Sequence, residues 1–107
     1  MPNYDLLITG ADVIAGTGGP RQRTDVAVSG DRVAAVGNLA AEGAKAKETI
    51  DGTGLALAPG FIDVHTHDDR LVLTQPSVAP KTSQGVTTVV TGNCGVSLAP
   101  FTASCRA

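Results

Sequence analysis

The sequence predicts an α/β chain in which a small β lobe precedes a strand–helix–strand unit. The 107 residues include 13 glycines, and in the first half these separate short apolar, β-branched runs, as in small β structures. The second half holds two further apolar runs, at residues 61–67 and 86–91, with a short helical segment between them. This order is typical of a βαβ unit, whose two strands are parallel neighbours.

Six short strands are predicted in the first half, at residues 4–8, 12–14, 24–28, 32–36, 48–50 and 55–58. A turn at Gly10 separates the first two. The third and fourth flank Ser29-Gly30-Asp31 and form a predicted β-hairpin. Residues 39–47 are predicted as a solvated loop. We therefore expect an antiparallel β layer that carries no catalytic groups.

In the second half, Pro76 and Pro80 interrupt any long helix, so the predicted helix is short and spans residues 78–84. Gly85 follows it as an ordinary helix C-cap. The β-branched run 86–91 then forms the second strand of the unit. Both strands should end at the same edge of the sheet.

Charge and hydropathy argue against two classes of partner. The formal net charge is −2 and no basic patch is present, which argues against nucleic acid binding. No apolar run reaches the roughly 18 residues that a membrane span requires. The N-terminal segment lacks the basic region of a secretory signal, so a cytoplasmic protein is predicted.

The first candidate site is the pair His65 and His67, which ends the run that starts at Pro59-Gly60. Residues i and i+2 of a strand lie on the same face, so the two imidazoles could bind one metal ion. Asp68 and Asp69 would also attract it. A His-x-His pair by itself is a weak signal that also fits two surface histidines on an edge strand.

The second candidate is Cys94, which follows the strand 86–91 within Gly92-Asn93-Cys94-Gly95. A parallel pairing would bring its thiol to the same edge as His65 and His67, and nitrogen and sulfur donors suit zinc. The alternative is a small buried hydrophobe. Cys94 and Cys105 could also pair, although a reducing compartment favours a reactive or ligating thiol.

Two motifs together carry a family resemblance. Pro59 to His67 resembles the signature of the amidohydrolase superfamily, whose metal-binding pair closes the first strand of a (β/α)8 barrel. The segment from Gly92 to Pro100 and the sequence His65-Thr66-His67-Asp68-Asp69 resemble its D-aminoacylase (N-acyl-D-amino-acid deacylase) branch. The resemblance covers residues 4–100 and does not extend to 101–107, so Cys105 is interpreted as incidental.

The resemblance implies a more detailed fold. Residues 1–58 would form the N-terminal part of a composite β-sandwich lobe, which in the family is completed by strands from the C-terminus. Residues 59–107 would start a metal-dependent (β/α)8 barrel. A complete barrel takes roughly 250 residues, so we expect a partial β-sandwich followed by the first βαβ unit of an incomplete barrel, at the front of a longer protein.

The resemblance also implies a reaction, the zinc-dependent hydrolysis of N-acyl-D-amino acids to a D-amino acid and a carboxylate. Cys94 would bind a tight zinc together with two histidines from later strands, while His65 and His67 would contribute to a weaker second position. An aspartate of the last barrel strand would move the proton. His65 and His67 are the only histidines of this sequence, so part of a metal site and no catalytic base are expected here.

Two alternatives remain open from the sequence. The chain could belong to another amidohydrolase, such as a dihydropyrimidinase or a deaminase, although Cys94 between asparagine and glycine argues against this. It could instead be a non-catalytic module that binds a metal or a partner through its two histidines and two cysteines. The spacing of those four residues fits none of the usual zinc-finger patterns.

Overall fold

The computed structural model describes residues 3–98, and the chain divides between Pro59 and Gly60 into two compact units. In the described residues the first unit consists of strands, and the second combines two strands with two short helices. None of the helices in residues 3–98 has the length and apolar character needed to cross a membrane. The mainly β architecture is that of an N-terminal β domain.

The first unit is a mixed sheet of five strands. They are β1 (Asn3–Val13), β2 (Gln22–Ser29), β3 (Arg32–Gly37), β4 (Lys45–Asp51) and β5 (Ala56–Leu57), in the order β3-β2-β1-β4 with β5 beside the end of β1. The antiparallel pairing of β2 with β3 confirms the predicted hairpin.

The expectation of an all-antiparallel layer is wrong, because β4 and β5 both pair with β1 in parallel. Strand β3 already runs in the direction of β1, since each is antiparallel to β2. The segment 38–44, predicted only as a solvated loop, returns the chain to the other side of β1 so that β4 starts in the same direction. Such a crossover is what a parallel pair requires.

Strand β1 is continuous through Gly10, where the sequence predicted a turn between two strands. Ile8 pairs with Val26 and Ala11 pairs with Thr24, so β1 contains one residue more than β2 over this interval. Gly10 has φ of 66°, a conformation that favours glycine. The glycine therefore forms a β-bulge that bends the strand without ending it.

A buried carboxylate holds this bulge in place. Asp25 on β2 is only 8% exposed. One carboxylate oxygen accepts the Gly10 N–H at 2.8 Å, and the other accepts the Ala40 N–H at 2.9 Å. Asp25 thus connects the bulge in β1 to the crossover segment 38–44 and satisfies two backbone donors that the sheet does not pair.

The two faces of the sheet differ in how they are covered. Leu7 and Ala27 are neighbours on one face, and Leu39 from the crossover segment packs on them to form the buried core. The opposite face is apolar but open. A groove of about 390 Å³ runs along it, and the lining residues from the three strands β1, β2 and β3 are Ile8, Val13, Val26, Val28, Val33 and Val36.

The second unit contains β6 (Phe61–Thr66), α1 (Asp69–Thr74), α2 (Ala79–Thr82) and β7 (Val86–Thr91). Strands β6 and β7 are parallel neighbours, as predicted. Helix α2 is shorter than the helix predicted over 78–84, and α1 was not predicted. Its sequence, Asp-Arg-Leu-Val-Leu-Thr, is a short apolar run whose periodicity fits a strand as well as a helix.

Replacement of Asp25 by alanine tests its role in the first unit. Asp25→Ala leaves the amides of Gly10 and Ala40 without acceptors, and we expect a loss of about 1–3 kcal/mol in the free energy of unfolding. Asp31→Ala is the control, because the Asp31 side chain is 92% exposed. Its effect should stay within about 0.5 kcal/mol. Urea unfolding followed by circular dichroism measures both, and equal stabilities would contradict the assignment.

Candidate metal centre

The two histidines lie at the carboxyl end of β6. His65 is the penultimate residue of the strand, and His67 follows its last residue, Thr66. The i, i+2 spacing leaves both rings on one side, with centroids 5.9 Å apart and planes inclined at 60°. Both side chains are exposed.

Cys94 lies in the turn that follows β7, at the same edge of the parallel pair. Its Sγ is 2.5 Å from Nε2 of His65, although the two residues are 29 positions apart in the sequence. One ligand atom from each of His65, His67 and Cys94 lies within 4.8 Å of the others. The structure therefore brings together all three residues that the sequence singled out, whereas Cys105 is outside the described residues.

A lysine forms ion pairs with two carboxylates in the segment that carries the histidines. Lys81 on α2 contacts Asp63 of β6, and its Nζ is 3.2 Å from Asp68. The ammonium holds the pKa of Asp63 below its usual value, assisted by the His65 N–H, which Asp63 accepts at 3.1 Å. In return, Asp63 raises the pKa of Lys81. Asp63 thereby fixes the backbone at His65.

Asp68 is directed toward structural partners. Besides the contact with Lys81, its carboxylate accepts a hydrogen bond of 2.5 Å from the hydroxyl of Thr66, which is buried. The sequence suggested that Asp68 would attract a metal, but its carboxylate stabilises the strand end.

Helix α2, which carries Lys81, starts from an unusual residue. Val78 has φ of 41° and ψ of 47°, a region that β-branched residues avoid. Such a conformation costs on the order of 1–3 kcal/mol and persists only when its surroundings hold it. Val78 is buried, and its carbonyl accepts the Lys81 N–H at 2.8 Å. The strained residue thus sets the start of the turn that presents Lys81 to Asp63.

Asp69, the other carboxylate beside the histidines, also has partners. It accepts the Ser97 hydroxyl at 2.9 Å and the Leu98 N–H at 3.2 Å. These two hydrogen bonds hold the pKa of Asp69 below its usual value. A small cavity of about 140 Å³ lies beside it, lined by His67, Asp69, Arg70, Val96, Ser97 and Leu98.

Sequence reasoning missed the residues that support the three candidate ligands. The Asn93 side-chain amide donates to the Val64 carbonyl, which ties the end of β7 to β6. The position of Asn93, next to Cys94, was a signal that could have been used. Lys81 had no such signal, because nothing in its local sequence connects it to Asp63, 18 residues earlier.

Gly60 determines how closely β6 approaches β7. Its φ lies outside the left-handed region, so the backbone conformation by itself does not require glycine. A Cβ at this position would overlap the Thr87 side chain. The first hydrogen bond of the pair forms next to it, from the Phe61 N–H to the Gly85 carbonyl at 2.8 Å. Gly60 is required here by close packing.

Comparison with known proteins gives consistent matches. Residues 48–103 match the sequence profile of the Amidohydrolase family. The chain is 57% identical, over 97 residues, to an N-acyl-D-aspartate deacylase of Alcaligenes xylosoxydans xylosoxydans, an alignment that covers 91% of this chain and 19% of the relative.

Two solved structures resemble it closely. An N-acyl-D-glutamate deacylase from Bordetella bronchiseptica, complexed with zinc and a phosphonate mimic of the tetrahedral intermediate, matches with a TM-score of 0.89 and 48% identity over 99% of this chain and 22% of its own. A D-aminoacylase with a binuclear metal centre matches with a TM-score of 0.85 and 54% identity over 92% and 20%. The chain spans about a fifth of each relative.

A methyl group at position 60 tests the close packing of the second unit. Gly60→Ala forces β6 away from Thr87, and we expect a loss of about 1–3 kcal/mol in stability, as for other overpacked sites. Gly19→Ala is the matched control, since its φ is also outside the left-handed region and a Cβ there would meet only Thr17 Oγ1, at 3.5 Å. That variant should be neutral or slightly stabilising.

Urea unfolding measures the stability of both glycine variants. The double variant Gly60→Ala/Thr87→Ala should recover part of the lost stability, because the smaller side chain at position 87 removes part of the overlap. If Gly60→Ala were as stable as Gly19→Ala, close packing would not be the reason for glycine at this position.

Proposed function

The chain belongs to the amidohydrolase family, and from this membership we propose that it contributes a zinc site to the hydrolysis of N-acyl-D-amino acids. The reaction releases a D-amino acid and a carboxylate. The observation that carries the proposal is the convergence of His65, His67 and Cys94 at one end of two parallel strands. The deacylases that the chain resembles at 48–57% identity support this substrate class.

We assign β6, the two helices and β7 to the first βαβ unit of a (β/α)8 barrel. Residues 1–58 would belong to the composite β-sandwich lobe that accompanies it. Barrel enzymes carry their chemistry at the carboxyl ends of the strands. His65 and Cys94 lie at the carboxyl ends of β6 and β7, which supports the assignment.

The donor set fits zinc. Two imidazole nitrogens and one thiolate are the ligands that this ion prefers, and three protein ligands leave a coordination position for water or substrate. The nearby carboxylates have other partners, since Asp68 is bound to Thr66 and Lys81 and Asp69 to Ser97 and Leu98. Oxygen-preferring cations such as Mg²⁺ and Ca²⁺ are therefore disfavoured.

The residues of this chain would hold the ion, and the ion would supply the chemistry by polarising the amide carbonyl and lowering the pKa of a bound water. Asp63, which accepts the His65 N–H, would keep the backbone of the ligand pair fixed. Within residues 3–98 we identify no carboxylate or imidazole as the general base. The proton transfer is therefore not assigned to this chain.

Zinc binding by the purified chain is the first test. We expect weak binding that depends on the three donors. His65→Ala and Cys94→Ser should each reduce the affinity by more than about tenfold, because loss of a residue that only supports a ligand already costs about 10–100-fold. Cys105→Ser is the matched control and should bind zinc like the wild type. Competition with a chromogenic chelator measures the affinities. Unchanged affinity in both ligand variants would exclude these side chains as ligands.

Hydrolysis is the second test. The isolated chain should not hydrolyse N-acetyl-D-amino acids, because a positioned acid or base alone contributes about 10²–10⁴-fold and none is identified here. A chimera in which residues 1–98 replace the aligned segment of the similar D-aminoacylase should be active with zinc. Cys94→Ala in the chimera should abolish turnover, whereas Asp31→Ala should not.

One result would contradict the proposed function, and another would contradict the expectation that this chain holds only part of the site. A folded, zinc-loaded chimera without activity would argue against the assigned function. Zinc-dependent turnover by the isolated chain, lost in Cys94→Ala, would show that residues 1–107 contain a complete active site.

A further inference from the structure

The loop that carries Cys94, defined here as residues 92–98, has little regular structure of its own. Gly92 and Gly95 flank the cysteine with φ of 85° and 74°, and glycine allows many other conformations. Within the loop, one backbone hydrogen bond links the Gly95 N–H to the Gly92 carbonyl at 3.0 Å. The position of the thiol therefore depends on contacts from outside the loop.

Side-chain contacts on both sides of Cys94 contribute to that support. On the N-terminal side, the Asn93 amide donates to the Val64 carbonyl of β6. On the C-terminal side, one oxygen of Asp69 accepts both the Ser97 hydroxyl and the Leu98 N–H. Asp69 is the first residue of α1 and lies two positions after His67. The same short segment therefore carries a histidine and anchors the cysteine loop.

We propose that Asp69 is a positioning residue for the metal centre, which holds the Cys94 loop against the start of α1 so that the thiol meets the two imidazoles. The inference rests on the proposed zinc site and goes beyond it by assigning a role to a carboxylate that is not a ligand. Its oxygen is already shared by two donors, so its contribution is to hold the loop. Without Asp69 the loop loses the acceptor of the Ser97 hydroxyl and the Leu98 N–H, and the thiol is less firmly held beside His65.

Cobalt binding distinguishes a positioning role of Asp69 from a general effect on protein stability. A thiolate bound to Co²⁺ gives a charge-transfer absorption, and this absorption reports on Cys94 itself. All variants carry Cys105→Ser, so that Cys94 is the single thiol. We expect Asp69→Ala to bind Co²⁺ about 10–100-fold more weakly, the loss typical of outer-shell partners, and to show a reduced thiolate band. Asp69→Asn keeps an oxygen acceptor and should lose less.

Asp51→Ala is the matched control, since Asp51 also accepts a backbone N–H, that of Thr53 at 2.9 Å, but lies in the first unit. It should bind Co²⁺ like the parent protein. If Asp69→Ala does not fold, Ser97→Ala removes one of the two donors to Asp69 and should weaken binding in the same direction. Unchanged affinity and an unchanged thiolate band in Asp69→Ala or, if needed, Ser97→Ala would overturn the proposal.

A second measurement distinguishes failure of this inference from failure of the proposed zinc site. Alkylation of Cys94 by iodoacetamide is followed in the metal-free protein, where a released loop should react faster in Asp69→Ala than in the parent or in Asp51→Ala. If the parent shows no thiolate band with Co²⁺, the proposed zinc site is wrong. The alkylation rates then test by themselves whether Asp69 holds the loop. Equal rates overturn it.

Discussion

The close parallel pairing of β6 with β7 is the constraint on which the candidate site depends. Parallel strands end at the same edge, so two residues that lie 29 positions apart, His65 and Cys94, come within 2.5 Å of each other. Gly60 permits the approach at the start of the pair, because any side chain there would overlap Thr87. The Asn93 amide closes the other end against the Val64 carbonyl. The geometry of the candidate metal centre is thus a consequence of strand packing.

The carboxylates around the histidines have other hydrogen-bond and ion-pair partners, which bears on the kind of ion that the proposed site would prefer. Asp63 and Asp68 share the charge of Lys81, and Asp69 accepts two hydrogen bonds from the cysteine loop. An acidic sequence such as Asp-x-His-x-His-Asp-Asp could in principle offer a hard, oxygen-rich site. The structure instead leaves nitrogen and sulfur atoms as the donors within 4.8 Å of one another, which is the chemistry of zinc.

Sequence reasoning worked where the signal was local. The hairpin of β2 and β3, the β6 and β7 runs, and the meeting of the histidines with Cys94 follow from turn residues, β-branched runs and strand periodicity. It failed where the outcome depended on distant partners. The bulge at Gly10 exists because Asp25 accepts its N–H across the sheet, and the direction of β4 depends on the crossover that Leu39 packs onto the core. Neither the contact of Asp25 with Gly10 nor the packing of Leu39 on the core is indicated by the residues next to them in the sequence.

The number and exposure of the donors bear on whether such a zinc would be structural or catalytic. Structural sites are closed by four protein ligands, usually in closely spaced cysteine and histidine pairs, whereas catalytic sites keep a position for water or substrate. Within residues 3–98 three donors converge, and all three are exposed at the strand ends. Their support comes from Asp63, Asn93 and Asp69, which fix backbone and loop without occupying a ligand position. A zinc that takes part in hydrolysis requires an open coordination position, and the three exposed donors of the proposed site are compatible with that requirement.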